Sequence, residues 1–122
     1  GSWQPTLSLQ NDGRMVMGNG AELTTGGAWV DASSRSLKEN VVKLETDQAI
    51  TVLGELQPVS FNYLREPKET YLGFIAENVP DLVAMNSRKS LNTMDIVAVL
   101  TKVVQDQQKR ITELEKRLDA IR

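Results

Sequence analysis

The sequence predicts an α+β protein with a short N-terminal β segment, a small mixed α/β body and a long C-terminal helix. Three observations carry this prediction. Alternating apolar runs flank an Asn-Asp-Gly turn near the N-terminus, helix and strand patterns are mixed in the middle, and apolar heptads fill the last thirty residues. At 122 residues the chain has the length of one domain, and it buries only a modest core unless it oligomerises.

The N-terminal segment is rich in glycine, threonine and asparagine and poor in charge. Alternating runs at 6–9 and 14–17 flank the turn at 11–13, which predicts a β-hairpin, and 28–30 fits one more short strand. So few strands cannot bury a core alone. We therefore expect residues 1–32 to be the end of a longer β-structured stalk, completed by other chains or by an upstream part.

Gly1 and Ser2 stand in front of Trp3 without an initiator methionine. We interpret these two residues as a remnant of cloning and leave them out of the fold prediction.

The middle of the chain predicts one helix followed by a hairpin. Apolar residues recur at helical spacing from Ala49 to Leu56 behind a cap at Thr46, and Pro58 ends the pattern. Strands are predicted at 59–64 and 71–75, joined by a charged loop. A short apolar element at 82–85 and an exposed connection at 86–90 complete this part.

The C-terminal part predicts a coiled-coil helix over 94–121, with a cap near Thr93. Apolar residues alternate in steps of three and four, so that they occupy the a and d positions of consecutive heptads. Ile96 and Val103 at g widen the apolar face in the first half, which predicts that this half also packs on the body of the domain. The a and d positions are Val97, Leu100, Val104, Gln107, Ile111, Leu114, Leu118 and Ile121.

The number of helices in the coiled coil is predicted from three features. Arg110 at g and Glu115 at the following e fit a known trimer-favouring hexad, and Gln107 places a polar residue at d. β-Branched residues at a would by themselves suit a dimer. Together with the family resemblance described below, the hexad and Gln107 predict a parallel homotrimer.

Composition excludes several function classes. A net charge of −2 supplies no basic surface for nucleic acid, and no apolar run approaches the ~18 residues that a membrane helix needs. Cysteine and histidine are absent, so disulfides, thiolate zinc sites and imidazole ligands are absent as well. We expect no metal, no cofactor, no nucleic-acid partner and no membrane partner.

Without histidine, a serine nucleophile needs another base, and lysine is one of the few that remain. Ser33 and Lys38 lie five residues apart and form a candidate Ser/Lys dyad. The spacing alone arises by chance in most proteins.

Three segments of the chain resemble a known family. They are Ala-Ser-Ser-Arg-Ser-Leu-Lys-Glu-Asn-Val at 32–41, Gln-Pro-Val-Ser-Phe-Asn-Tyr at 57–63 and Leu-Gly-Phe-Ile-Ala-Glu-Asn-Val-Pro at 72–80. In this order, and with a coiled coil behind them, they resemble the S74 peptidases. This family is the self-cleaving, C-terminal intramolecular chaperone domain of bacteriophage tail spikes and tail fibres, including endosialidase tail spikes.

The resemblance implies a catalytic Ser33 and Lys38 in a chaperone domain over 33–122. Such a domain brings three chains into register, assists folding of the upstream spike or fibre, and is then released by its own serine, during virion tail assembly in the host cytoplasm. The family often has an aspartate after the serine, and Ser34 stands there in this chain.

The serine hydroxyl can reach the carbonyl just before it through a five-membered ring, which indicates the Ala32–Ser33 bond as the scissile bond. A serine from a neighbouring subunit would escape this constraint, so cleavage in cis and in trans both stay open. Two other functions stay open as well: a permanent trimerisation tip without proteolysis, and a Ser/Lys hydrolase acting on other molecules.

Overall fold

A computed structural model describes residues 6–122, so the expected cloning remnant at Gly1 and Ser2 lies outside the described residues. The chain divides into two compact units, of which the first ends at Val42 and the second begins at Lys43. The first unit contains a small antiparallel sheet and the second contains two helices and two short hairpins. The predicted α+β class is confirmed.

The first unit is built on one four-stranded antiparallel sheet, which we call the N-terminal sheet. Its strands follow the chain order, so each strand pairs with the next through a tight loop. The predicted hairpin is confirmed as β1 and β2, and the predicted third strand is β4, whereas β3 was not predicted. The strands are β1 (Leu7–Leu9), β2 (Met15–Met17), β3 (Glu22–Leu23) and β4 (Trp29–Val30).

The three loops of the N-terminal sheet repeat every seven residues. Gly13, Gly20 and Gly27 have φ angles of 91°, 96° and 86°, a region that glycine adopts without steric cost. Each glycine N–H donates to the carbonyl three residues earlier, at 3.0, 3.0 and 2.9 Å. In the first two loops the side chains of Asp12 and Asn19 also accept the backbone N–H two residues later, from Arg14 and Ala21. This is the three-residue hairpin loop whose last residue has a positive φ.

In the second unit, helix α1 (Thr46–Glu55) packs against the first half of helix α2 (Thr93–Ile121). Ala49 and Val52 of α1 are buried in the same cluster as Val99 and Val103 of α2. This confirms that the first half of the long helix packs on the body of the domain. Among the residues that the structure describes, no helix combines the length and the apolar content needed to cross a membrane.

The structure corrects the predicted cap of α1 and confirms a cap near Thr93 for α2. Thr46 is the first helical residue of α1, and the cap position is Glu45, whose side chain makes no capping hydrogen bond. Helix α2 is capped by Asn92, whose side chain accepts the backbone N–H of Met94 at 3.1 Å. Asparagine is among the strongest capping residues, so the helix begins one residue earlier than the predicted 94.

Strands β5 (Val59–Phe61) and β6 (Tyr71–Gly73) form the predicted hairpin. Both begin at the predicted residue, and they end three and two residues earlier than predicted. The rings of Phe61, Tyr63 and Tyr71 form a cluster with centroid distances of 5.1–5.9 Å. A Cβ atom on Gly73 would lie 3.1 Å from Phe61 Cε1, so the ring covers the glycine closely. Pairs of aromatic rings across two strands stabilise such a hairpin.

The apolar element predicted at 82–85 is a 3₁₀ turn, Asp81–Val83, followed by strand β7 (Ala84–Met85). Strand β7 pairs with β8 (Ser90–Leu91), which occupies the end of the predicted exposed connection. Between them Arg88 has a φ of 66°, and its guanidinium group donates to the carbonyl of Val79. Asn86 and Ser87 before it also have positive φ angles, of 50° and 55°, so the turn between β7 and β8 has an uncommon backbone conformation.

Candidate functional site

Ser33 and Lys38 are in direct contact. After strand β4 the chain runs extended to Ser34, makes one 3₁₀ turn at Arg35–Leu37 and becomes extended again at Lys38. The turn brings the two side chains to the same side, where Lys38 Nζ donates a hydrogen bond to Ser33 Oγ at 2.6 Å. The structure thus brings together the two residues predicted as a dyad, while their catalytic role stays a prediction.

The side chain of Ser34 makes different hydrogen bonds from that of Ser33. Its hydroxyl oxygen accepts the backbone N–H of Ser36 at 3.3 Å and lies 2.9 Å from the Ser36 hydroxyl, which makes Ser34 the cap of the 3₁₀ turn. Serine and aspartate are nearly equivalent as capping residues. An aspartate at this position would therefore support the same turn, and Ser34 keeps that support.

The dyad segment occupies the place of a fourth loop in the seven-residue repeat. Ser34 follows Gly27 by seven residues, as Gly27 follows Gly20. Its φ is −62°, however, so the positive φ of the first three loops is absent and the chain forms the capped turn instead. The repeat ends where the candidate dyad begins.

The dyad is open to solvent in the single chain. Ser33 and Lys38 are exposed, and Ala32 on the other side of the predicted scissile bond is half-buried. Asn40 has a φ of 54°, a conformation that asparagine tolerates better than most residues, and it turns the chain after Lys38. A lysine acts as a base only in its neutral form, which burial favours and water disfavours.

The predicted a and d positions of α2 lie on an exposed face of the helix. Their apolar members are between 42% and 80% exposed, and Gln107 is exposed as well. The neighbouring face carries Ile96, Val99 and Val103, which are buried in the second unit. The helix therefore has two apolar faces, of which only one is covered within residues 6–122. The exposed apolar members are Val97, Leu100, Val104, Ile111, Leu114, Leu118 and Ile121.

The two charged residues of the predicted trimer hexad are exposed. Arg110 Nε lies 2.8 Å from Asp106 Oδ2, one helical turn earlier, and its side chain is 69% exposed. Such a pair contributes only a few tenths of a kcal/mol, about 0.3–0.5. Arg110 can therefore exchange Asp106 for a carboxylate of another chain at little cost.

An apolar groove of about 760 Å³ lies beside the start of the exposed helix face. Sequence reasoning did not find this groove, because its walls come from separate segments of the second unit. The available sequence signal was the alternation of apolar and polar residues in 59–64 and 71–75, because these segments supply part of the groove wall. Apolar lining residues of the groove include Phe61, Leu72, Phe74, Ile96, Val97 and Leu100.

Among residues 6–122, no group of three or more acidic side chains is placed to hold a metal ion.

Residues 33–86, a little under half of the chain, match the family described as chaperone of endosialidase, the S74 peptidases. The matched segment begins at Ser33 and includes Lys38, the β5–β6 hairpin and strand β7. No curated protein and no solved structure matches the chain. The resemblance drawn from the sequence is confirmed over residues 33–86, the segment that matches this family.

Proposed function

We propose that this chain is a trimeric intramolecular chaperone of a phage tail spike or fibre that releases itself by cleaving the Ala32–Ser33 bond. The hydrogen bond from Lys38 Nζ to Ser33 Oγ carries the catalytic part of the proposal. The family match, which begins at Ser33, supports the chaperone part.

Ser33 is the nucleophile in this proposal. Its hydroxyl oxygen is within hydrogen-bond distance of Lys38, whereas the hydroxyl of Ser34 is engaged with Ser36 in the cap of the turn. A nucleophile needs a base within about 2.6–3.2 Å. Ser33 meets this requirement in the described structure.

The chemistry proceeds in two steps. Ser33 Oγ attacks the carbonyl carbon of Ala32 while neutral Lys38 takes the hydroxyl proton; the peptide C–N bond then breaks, and the nitrogen of Ser33 leaves as an amine after receiving a proton. Water hydrolyses the resulting ester. The products are a carboxylate on Ala32 and a domain that begins at Ser33.

Assembly supplies the environment that this chemistry needs. Lys38 is exposed in the single chain, where water favours the charged amine. Neighbouring chains can bury the dyad, so we expect cleavage to follow trimer formation. This order suits a chaperone, because the domain is released only after the three chains are in register.

The exposed a and d face of α2 supports the homotrimer. Seven large apolar side chains on one helix face stay in water unless other helices cover them, and their heptad spacing fits knobs-into-holes packing between copies of the same helix. A fast-forming coiled coil raises the effective concentration of the slower β-structured parts.

The exposure of Lys38 also favours a second candidate function, a permanent trimerisation tip that does not cleave. Intact mass of freshly expressed protein with its native upstream segment separates the two. A fragment that begins at Ser33 supports the self-releasing chaperone. An uncut chain in a protein shown to be trimeric supports the permanent tip.

A further inference from the structure

A hydrogen bond between two side chains stands just before the candidate dyad. Trp29 Nε1 donates to Asp31 Oδ1 at 3.0 Å, where strand β4 ends. The indole N–H is a donor only, so a carboxylate is a strong partner for it. Trp29 is 55% exposed and Asp31 is exposed, so this bond rather than burial fixes the position of the carboxylate.

Asp31 stands two residues before Ser33. Side chains two residues apart on an extended chain point to the same side, as the bond between Trp29 and Asp31 illustrates. Exposure alternates in the same way, since Asp31 and Ser33 are exposed and Ala32 between them is half-buried. We therefore place the carboxylate of Asp31 on the side of the chain that carries the Ser33 hydroxyl.

A free carboxylate at this place would compete with Ser33 for the lysine. An ammonium group donates more strongly to a carboxylate than to a neutral hydroxyl, because charge assists the bond. In the structure Lys38 Nζ donates to Ser33 instead, and none of the salt bridges among residues 6–122 includes Lys38 or Asp31. Arg35 and Glu39, the other charged residues beside Lys38, are absent from those salt bridges as well.

We propose that Trp29 is a positioning residue for the dyad: its indole N–H holds the carboxylate of Asp31, so that Lys38 keeps its contact with Ser33. This inference rests on the proposed self-cleavage. When the indole donor is lost, Asp31 pairs with Lys38. The pairing takes the base away from Ser33 and favours the charged amine.

Removal of the indole N–H tests this role. Trp29→Phe keeps an aromatic ring in strand β4 and loses the donor. We expect cleavage of the chain with its native upstream segment to become about tenfold slower at neutral pH, the loss of neutral amine that a one-unit rise in a lysine pKa produces. The pH profile should move toward alkaline pH. An unchanged rate with an unchanged profile overturns the inference.

A second substitution separates this role from a packing role of the ring. Asparagine carries no charge to pair with an ammonium group, so Trp29→Phe, Asp31→Asn should cleave at the wild-type rate. Leu23→Val changes the residue opposite Trp29 but leaves the indole N–H, and this matched control should keep the wild-type pH profile. A double variant as slow as Trp29→Phe overturns the inference, because the defect then comes from the sheet.

The indole resonance separates this inference from the proposed function. The chain has two tryptophans, and a Trp3→Phe, Ser33→Ala variant keeps Trp29 as the single indole in a chain that cannot cleave at the proposed site. We expect Asp31→Ala to move its indole N–H resonance upfield in ¹⁵N–¹H spectra. An unmoved resonance overturns the inference and leaves self-cleavage standing. A moved resonance in a chain whose wild type never cleaves overturns the positioning role together with the proposed function.

Discussion

Lys38 Nζ lies 2.6 Å from Ser33 Oγ within one chain, across a single 3₁₀ turn capped by Ser34. The contact is local and needs no other subunit. What the single chain does not provide is burial, since both residues are exposed. The proposed mechanism therefore separates two requirements, namely dyad geometry within a chain and desolvation between chains.

Substitution of either dyad residue tests the geometry. We expect Ser33→Ala and Lys38→Ala to abolish the fragment that begins at Ser33, because one removes the nucleophile and the other the base. Ser34→Ala is the matched control: it weakens the turn by about 0.5–2 kcal/mol and slows cleavage without stopping it. Mass spectrometry of the expressed chain measures all three. Loss of cleavage in Ser34→Ala but not in Ser33→Ala would show that the nucleophile is Ser34.

The pH dependence of cleavage tests the role of the lysine. Only the neutral amine accepts the proton of Ser33, so the rate should rise from mildly acidic toward alkaline pH. Lys38→Arg keeps a positive donor beside Ser33 but stays charged throughout, and we expect it to be inactive at every pH. Time courses of purified, uncut protein over a pH series measure this. An active arginine variant is incompatible with general-base catalysis by Lys38.

A charge on the exposed helix face should prevent assembly. Leu114→Asp removes an apolar side chain, which destabilises a buried position by about 2–5 kcal/mol. It also adds a carboxylate to the contact between the helices. We expect a monomer by sedimentation equilibrium where the wild type is a trimer. Thr112→Asp, exposed and outside the a and d positions, is the matched control and should remain trimeric. A dimeric wild type would favour the β-branched a positions over the hexad as the determinant of helix number.

Assembly and cleavage should be coupled. Ile111→Asp lies more than seventy residues from Lys38 in sequence, yet we expect it to slow or stop cleavage because burial of the dyad depends on the trimer. Thr112→Asp again serves as control. The cleaved fraction is followed over time at several protein concentrations. Wild-type rates in a demonstrably monomeric Ile111→Asp sample would mean that the dyad is sufficient within one chain.

The aromatic hairpin has its own pH signature. Tyr71 Oη donates to Glu66 Oε2 at 2.6 Å, and this hydrogen bond to the carboxylate raises the pKa of Tyr71 above its ordinary value of 10.0. Because the pKa of Tyr71 is raised, this hydrogen bond makes its full contribution to hairpin stability below pH 10.0. The contribution is lost as the pH rises through the pKa that Tyr71 has in the folded state.

Ultraviolet titration of a Tyr63→Phe variant isolates Tyr71, because the chain has only two tyrosines. Glu66→Gln should move its ionisation to lower pH. An unchanged titration in Glu66→Gln would show that the hydrogen bond is absent in solution.

Local sequence signals predicted the elements whose cause is local. Asn11-Asp12-Gly13 predicted the first hairpin, because its glycine has to take a positive φ. The positive φ recurs at Gly20 and Gly27, but the seven-residue repeat and strand β3 within it were not predicted. The five-residue interval between Ser33 and Lys38 indicated a contact that the capped turn makes.

Elements that depend on distant contacts were not predictable in the same way. Helix α1 starts at Thr46 without a capping side chain, because Ala49 and Val52 are held by the packing against α2. The guanidinium group of Arg88 contacts the carbonyl of Val79, nine residues earlier. Neither partner stands close enough in sequence for a pattern to show it.

The seven-residue repeat of the N-terminal sheet also sets how its length can change. Successive hairpins reverse the chain, so the first and third loops lie at the same edge, where Thr25 Oγ1 donates to the carbonyl of Asp12 at 3.1 Å. An insertion of one unit would move the chain exit to the other edge. Two units, fourteen residues, would restore it. Natural or engineered variants of this sheet should therefore lengthen or shorten in steps of fourteen residues.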